Sequence, residues 1–265
     1  MLYRKAKIYK EYGIVYKRGK LLSPVGWVNP MLINGNQKVG SGVWTFSTLP
    51  GTLYYDFTFE GQEYSVKGTC PCNCPGCYAM AGFYKTYSVR VALGIRTVLA
   101  RGFIDWLQRA IMAQIKADHI KLLRIHAAGD FFSLEYIDMW RAIAMAFPGA
   151  VIWTYTKYSP AEKAFEDIAN VHIVPSIIPG KGLNYGKCAH VIGLYYYLKE
   201  IGASVYICRC GFDRTQRCNN CTGCTKNTFV LFLEHSTKYK PELDPLYPVL
   251  CEIVNGQPAQ MMAAA

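Results

Sequence analysis

Nine of the eleven cysteines in this 265-residue chain fall into two short runs. The first run holds Cys70, Cys72, Cys74 and Cys77; the second holds Cys208, Cys210, Cys218, Cys221 and Cys224. Cys188 and Cys251 stand apart. Cysteines that only pack in a core would be scattered, and an odd number cannot pair off completely as disulfides. The clustering predicts metal or iron–sulfur ligation in a compartment that keeps thiols reduced.

Hydrophobic residues make up 51% of the chain and charged residues 18%, enough to bury a sizeable core and too apolar for disorder. The best apolar run, residues 142–153, is broken by Pro148-Gly149 and falls short of the roughly 20 residues a bilayer demands. The basic start MLYRKAKIYKEYG has no apolar segment after it, unlike a secretory leader. A soluble cytoplasmic protein with no membrane partner is expected.

The net charge is +11. Residues 1–20 carry Arg4, Lys5, Lys7, Lys10, Lys17, Arg18 and Lys20 against Glu11 alone, with Tyr3, Tyr9, Tyr12 and Tyr16 interleaved. Cations for phosphates and aromatic faces for bases suit a DNA or RNA partner. A basic strand or hairpin edge kept soluble by its lysines is the other reading.

Residues 1–69 read as β-rich, with alternating patterns at 42–47 and 53–59. Residues 70–207 alternate between strand and helix. Helices are predicted at 103–117, 134–146 (capped by Ser133), 160–169 and 189–201; strands are predicted at 120–125, 151–156, 171–176 and 205–208. With the strand leading into Cys70 counted first, and 229–233 as a candidate sixth, the order predicts a partial (β/α) barrel of five to six parallel strands. Residues 208–265 form a cysteine-rich C-terminal lobe. No GxGxxG follows the first strand, which argues against a dinucleotide-binding sheet.

Cys70, Cys74 and Cys77 are spaced C-x3-C-x2-C. Three thiolates from one loop can hold three irons of a 4Fe–4S cluster and leave the fourth open to an exogenous ligand. Cys72 is an alternative fourth ligand that would close the site. The spacing resembles the radical S-adenosylmethionine (radical SAM) superfamily, whose cluster reductively cleaves SAM to a 5′-deoxyadenosyl radical. The aromatic residue usual before the third cysteine is absent: Gly76 stands there and Tyr78 follows.

That superfamily commonly ends its second barrel strand in Gly-Gly-Glu, which meets the SAM ammonium. Ala128-Gly129-Asp130, at the end of the 120–125 strand, resembles a shortened version, although ordinary helix capping would also place an Asp there. If the strand continues, Arg124, His126 and Ala128 share one face and line the cavity; satisfied core residues are the alternative. The resemblance makes Arg124, His126 and Lys157 the catalytic candidates. Tyr78, Ala128, Gly129, Asp130 and Ser176 become the cofactor-binding candidates.

The segments 36–47, Cys77-Tyr-Ala79, 124–133, Tyr136, Trp140 and Tyr155-Thr-Lys157 together resemble a poorly characterised family of phage and mobile-element gene products, itself similar to a divergent radical SAM branch. This implies an iron–sulfur protein working in a host cytoplasm. In the second run, Cys218, Cys221 and Cys224 with Cys208 or Cys210 would complete an auxiliary 4Fe–4S cluster, or else a structural zinc site. The expected function is radical SAM-type chemistry on a macromolecular substrate, with phage or host nucleic acid first in line. A reductase or a flavodoxin or ferredoxin would donate the electron. The alternative is a non-enzymatic, zinc- or iron–sulfur-stabilised nucleic-acid-binding protein.

Overall fold

The structure, a computed structural model, describes residues 2–35, 40–74, 77–176, 185–186, 188–208, 221, 223–226, 229–233 and 244–256. Its chain divides into two compact units, Met1–Gly35 with Gly42–Ile173, and Asn36–Ser41 with Val174–Ala265. Most of the stretch read as a separate β-rich region belongs to the first unit, because one of its strands enters that unit's main sheet.

The first unit opens with helix α1 (Leu2–Glu11) where the sequence reading expected only extended chain. Ile8 and Tyr9 are buried on its inner side, and Lys5 pairs with Asp118. Three short antiparallel strands follow, β1 (Val15–Lys17), β2 (Lys20–Ser23) and β3 (Gly26–Val28). Next come β4 (Ile33–Asn34), β5 (Val43–Phe46) and a hairpin of β6 (Tyr54–Phe59) and β7 (Gln62–Lys67). The cysteine loop and two short 3-10 turns, Tyr78–Met80 and Gly82–Lys85, lead into α2 (Tyr87–Gly102) and α3 (Ile104–Asp118). The unit then alternates through β8 (Leu122–Ile125), α4 (Leu134–Ala146), β9 (Val151–Thr156), α5 (Pro160–Ala164) and β10 (Val171–Pro175).

The main sheet has the order β10-β9-β8-β5-β4. β5 runs parallel to β8 and β8 parallel to β9, while β4 is an antiparallel edge. The strand leading into Cys70, β7, pairs with β6 instead; the neighbour of β8 is β5. The hairpin is an excursion that leaves the segment after β5 and returns to that segment. Thr69 N–H donates to Leu49 O at 2.9 Å, Gly68 N–H to Leu53 O at 2.9 Å and Cys70 N–H to Gly51 O at 3.1 Å.

Phe46, Leu123, Ile125 and Ile152 from the sheet meet Leu99, Leu107, Ile111, Trp140 and Ile143 from the helices in one core. Trp140 packs edge-on against Phe46, ring centroids 5.3 Å apart. Ser133 caps α4, its hydroxyl accepting Tyr136 N–H at 3.2 Å. Gln114 on α3 clamps the chain before β4, accepting Leu32 N–H and donating to Leu32 O, both at 2.8 Å.

The second unit contains β11 (Tyr185–Gly186), α6 (Cys188–Glu200), β12 (Val205–Ile207), α7 (Gly223–Lys226), β13 (Phe229–Leu233) and α8 (Tyr247–Gly256). Its sheet has the order β11-β13-β12, all parallel. Val191, Leu198, Val205, Ile207, Leu231, Leu250 and Val254 form its own core. Among the described residues, parallel pairing joins β5, β8 and β9 in the first unit's main sheet and β11, β13 and β12 in the second unit's sheet. No described helix is long and apolar enough to cross a membrane.

Candidate metal centre

The first cysteine loop follows β7, starts from the bond of Cys70 to Gly51 and is pinned at its middle. Asn73 Oδ1 accepts Thr52 N–H at 2.9 Å, and Asn73 Nδ2 donates to Thr52 Oγ1 at 2.7 Å. Beyond it, Cys77 N–H donates to Cys74 O at 3.2 Å and Met80 N–H to Cys77 O at 3.0 Å. The Cys72 and Cys74 sulfurs lie 3.7 Å apart.

Burial sets the electrostatics of these thiols. It pushes the Cys70 thiol up to about 12; the Gly51 amide opposes this, while Asp130, Cys77 and Cys74 add to it. Cys72 is raised by burial and by its hydrogen bond with Cys74, with Lys157 opposing. Cys77 is raised by burial too, against the amides of Ala79 and Met80 and the ammonium of Lys157. Burial thus disfavours the thiolate form of all three, and the charge of a bound cation would act against that effect.

Asp130 stands past the end of β8, almost fully buried. Its Oδ1 accepts Thr156 Oγ1–H at 2.5 Å and Phe131 N–H at 2.8 Å; its Oδ2 accepts Lys157 N–H at 2.8 Å. Burial still outweighs these donors and pushes its pKa up to about 6. A carboxylate offers about four lone-pair sites, so Oδ2 keeps room for one more donor.

The small residues before Asp130 make room for the protein's own threonines. Ala128 N–H donates to Ser47 Oγ at 3.2 Å, and Ala128 O accepts Thr48 N–H at 3.0 Å. Gly129 adopts φ +82°, and a Cβ there would lie 2.0 Å from Thr48 Oγ1 and 2.7 Å from Thr69 Oγ1. Thr48 and Thr69 share a hydrogen bond of 2.8 Å, and Thr69 Oγ1 also accepts Asp130 N–H at 3.0 Å.

The Asp130 carboxylate thus acts on Cys70 and Cys72, the Lys157 ammonium on Cys72 and Cys77, and Cys74 on all three of the other thiols. Arg124 and His126 are placed differently. β8 ends at Ile125, and His126 turns to φ +58°, which breaks the alternation that would have put Arg124, His126 and Ala128 on one face. Arg124 lies over the Tyr155 ring, 5.1 Å from its centroid. His126 is buried edge-on to Phe131, with Nε2 3.0 Å from Tyr136 Oη and Nδ1 3.4 Å from Thr154 Oγ1. Burial lowers its pKa to about 3, so it is a neutral core imidazole.

Ser176 falls just past β10, in the second unit. The side chain of Tyr78 lies outside the described residues. In the second cysteine run, Cys208 follows β12 with its N–H on Leu231 O at 2.8 Å, and Cys224 sits on α7. Cys221 Sγ lies 3.7 Å from Tyr206 Oη and accepts Gly223 N–H at 3.4 Å. Cys210 and Cys218 lie outside the described residues, and among the described ones no three His, Cys, Asp or Glu side chains converge as ligands of a single ion.

Sequence reasoning missed Thr48, Thr69 and Asn73. Their only advance signal was position, two of them at or beside the ends of segments that reach the cysteines. No curated protein and no solved structure matches this chain. A family model described as Gene product 88 matches residues 30–193, which takes in the main sheet, the first cysteine loop, Asp130 and Lys157. That match spans more than half of the protein, and the chain belongs to the Gene product 88 family, a phage-type family of gene products.

Proposed function

We propose that this protein is a radical SAM-like iron–sulfur enzyme acting on a macromolecular substrate, with Cys70, Cys74 and Cys77 holding a 4Fe–4S cluster. What supports the reading is the C-x3-C-x2-C spacing of three thiols in one loop on which the Asp130 carboxylate and the Lys157 ammonium, past the ends of adjacent parallel strands, act electrostatically. In α/β sheets ligand sites gather at that end. The donor chemistry fits: the amides of Gly51, Ala79 and Met80 favour the thiolate forms of Cys70 and Cys77, as hydrogen bonds to cluster sulfurs do. A cubane spreads its thiolates over separate corners, unlike the compact shell of a single zinc.

Bound there with one iron open, such a cluster would supply the electron that cleaves S-adenosylmethionine. The chain's own contribution is to place and to exclude. Asp130 Oδ2 is free to take one N–H of the SAM ammonium while Thr156, Phe131 and Lys157 hold the carboxylate still. Lys157 balances the negative charge of the loop. The buried walls behind Asp130, with Phe131 and Tyr136, keep water from a reactive radical.

The test is anaerobic purification with iron and sulfide analysis, followed by EPR of the dithionite-reduced protein with and without SAM. The expected result is about four irons per site lost on Cys74→Ser, a reduced signal perturbed by SAM, and 5′-deoxyadenosine as product. Stoichiometric zinc with no response to SAM would instead establish the non-enzymatic, metal-stabilised binding protein. That second reading draws on one observation, the three protein donors already engaged on Asp130.

A further inference from the structure

The basic N-terminal residues form a folded surface in which three of the four tyrosines pack against the protein. Tyr9 is buried on α1 and stacks on Tyr16 of β1, with centroids 4.9 Å apart and planes 4° from parallel. Tyr12 packs under the Lys116 ammonium, which lies 5.7 Å from its ring centroid. Tyr3 alone of the four tyrosines is strongly exposed. The residues that would stack on bases in a single strand are therefore used to join the helix to the hairpin.

The cations point the other way. Nearby acids are already neutralised: Glu11 pairs with Lys116 at 2.8 Å, and Asp118 pairs with Lys5. Arg4, Lys7, Lys10, Lys17, Arg18 and Lys20 are all exposed. Arg4 makes one long contact, 3.4 Å, with the His119 ring. At the β1–β2 tip Lys17 and Lys20 stand directly opposite each other, and Arg18 occupies the tight turn between them at φ +50°. Like charges face to face across an antiparallel pair repel, and turns of this kind favour Asn-Gly over Arg-Gly. Three cations are thus held at a place where the isolated fold gains nothing from them, and an anionic partner would relieve the repulsion.

We propose that the outer side of α1 and the tip of the β1–β2 hairpin form a binding surface for the phosphate backbone of duplex nucleic acid, indifferent to base sequence. Phosphate rows suit a rigid array of lysine and arginine side chains, and with Tyr9, Tyr12 and Tyr16 packed against the protein only Tyr3 is open to an unstacked base. An anionic membrane is the poorer fit, because Ile8 and Tyr9, the apolar side of α1, are buried in the protein. This surface does not depend on the iron–sulfur reading.

The experiment is fluorescence anisotropy of the full chain with a short labelled duplex of arbitrary sequence. The same-length single strand and phosphatidylserine vesicles are the comparison arms. Six phosphate contacts predict a slope of log K against log salt near about −5 and an affinity loss of roughly a thousandfold between about 50 and 200 mM salt. Combining Lys17→Gln with Lys20→Gln should make the slope shallower by roughly 2 while the melting temperature stays in place. An unchanged slope in the variant, tighter binding of the single strand, or binding to vesicles but not to duplex would each overturn the proposal. The readout is binding alone, so it stands or falls separately from cluster content and SAM cleavage.

Discussion

His126 shows what burial does to a residue whose type alone points to chemistry. Its ring nitrogens both have hydroxyl partners, and it stays neutral down to about pH 3 in the folded chain. The unfolded chain binds that proton near pH 6.5, so the unfolded state holds more protons between those limits and stability falls as pH drops from about 6.5 toward 3. His126→Asn keeps a residue that tolerates a positive φ but removes the ring. Urea denaturation should find it about 2–3 kcal/mol less stable at neutral pH, with a flatter acid limb; identical acid limbs would contradict the assignment. Asp130 was legible from its place after a strand, but its engagement was not. Thr69 and Thr156 stand far from it in sequence, and nothing local announces that hydroxyls from two other segments will meet there.

Local signals placed α3, α4, α6 and the strands β8, β9, β10 and β12 within a few residues, but they left α2 (Tyr87–Gly102) unread and carried α5 five residues past Ala164. Ser133 marks the start of α4 because its hydroxyl replaces a missing helical acceptor, and Pro148-Gly149 follows its end. The N-terminal helix was misread because lysine and tyrosine spaced two or three apart satisfy a strand pattern as readily as a helix; packing of Ile8 and Tyr9 into the core decides between them. The pairing of β5 with β8 was hidden by the intervening hairpin, since sequence order points to the nearer strand. Gln114 links this edge to the helices. Gln114→Ala should leave the buried Leu32 N–H and C=O without their partner and lower stability by about 2–4 kcal/mol. Hydrogen exchange should show the Leu32 amide losing protection first; unchanged exchange there would count against the clamp.

Two cores imply two cooperative units, each with its own cysteines. Leu250 is fully buried in the second core, and Leu250→Ala should cost that unit about 2–5 kcal/mol. Calorimetry is expected to show one transition moved down and the other in place; a single transition shifting as a whole would mean the cores unfold together. The family match ends at residue 193, so it covers the first cysteine loop and stops before the second cysteine run. Because the chain leaves β5 and comes back to Leu49, Gly51 and Leu53, the β6–β7 ribbon resembles a bight in a rope whose two ends are lashed together. Its flanks are under load, because Phe57 and Val66 are buried in the core and Tyr55 bonds to Met80 just past the cysteines. Only the exposed end of the loop, at Glu60-Gly61, can be let out or taken in without slackening the knot that carries the sulfurs.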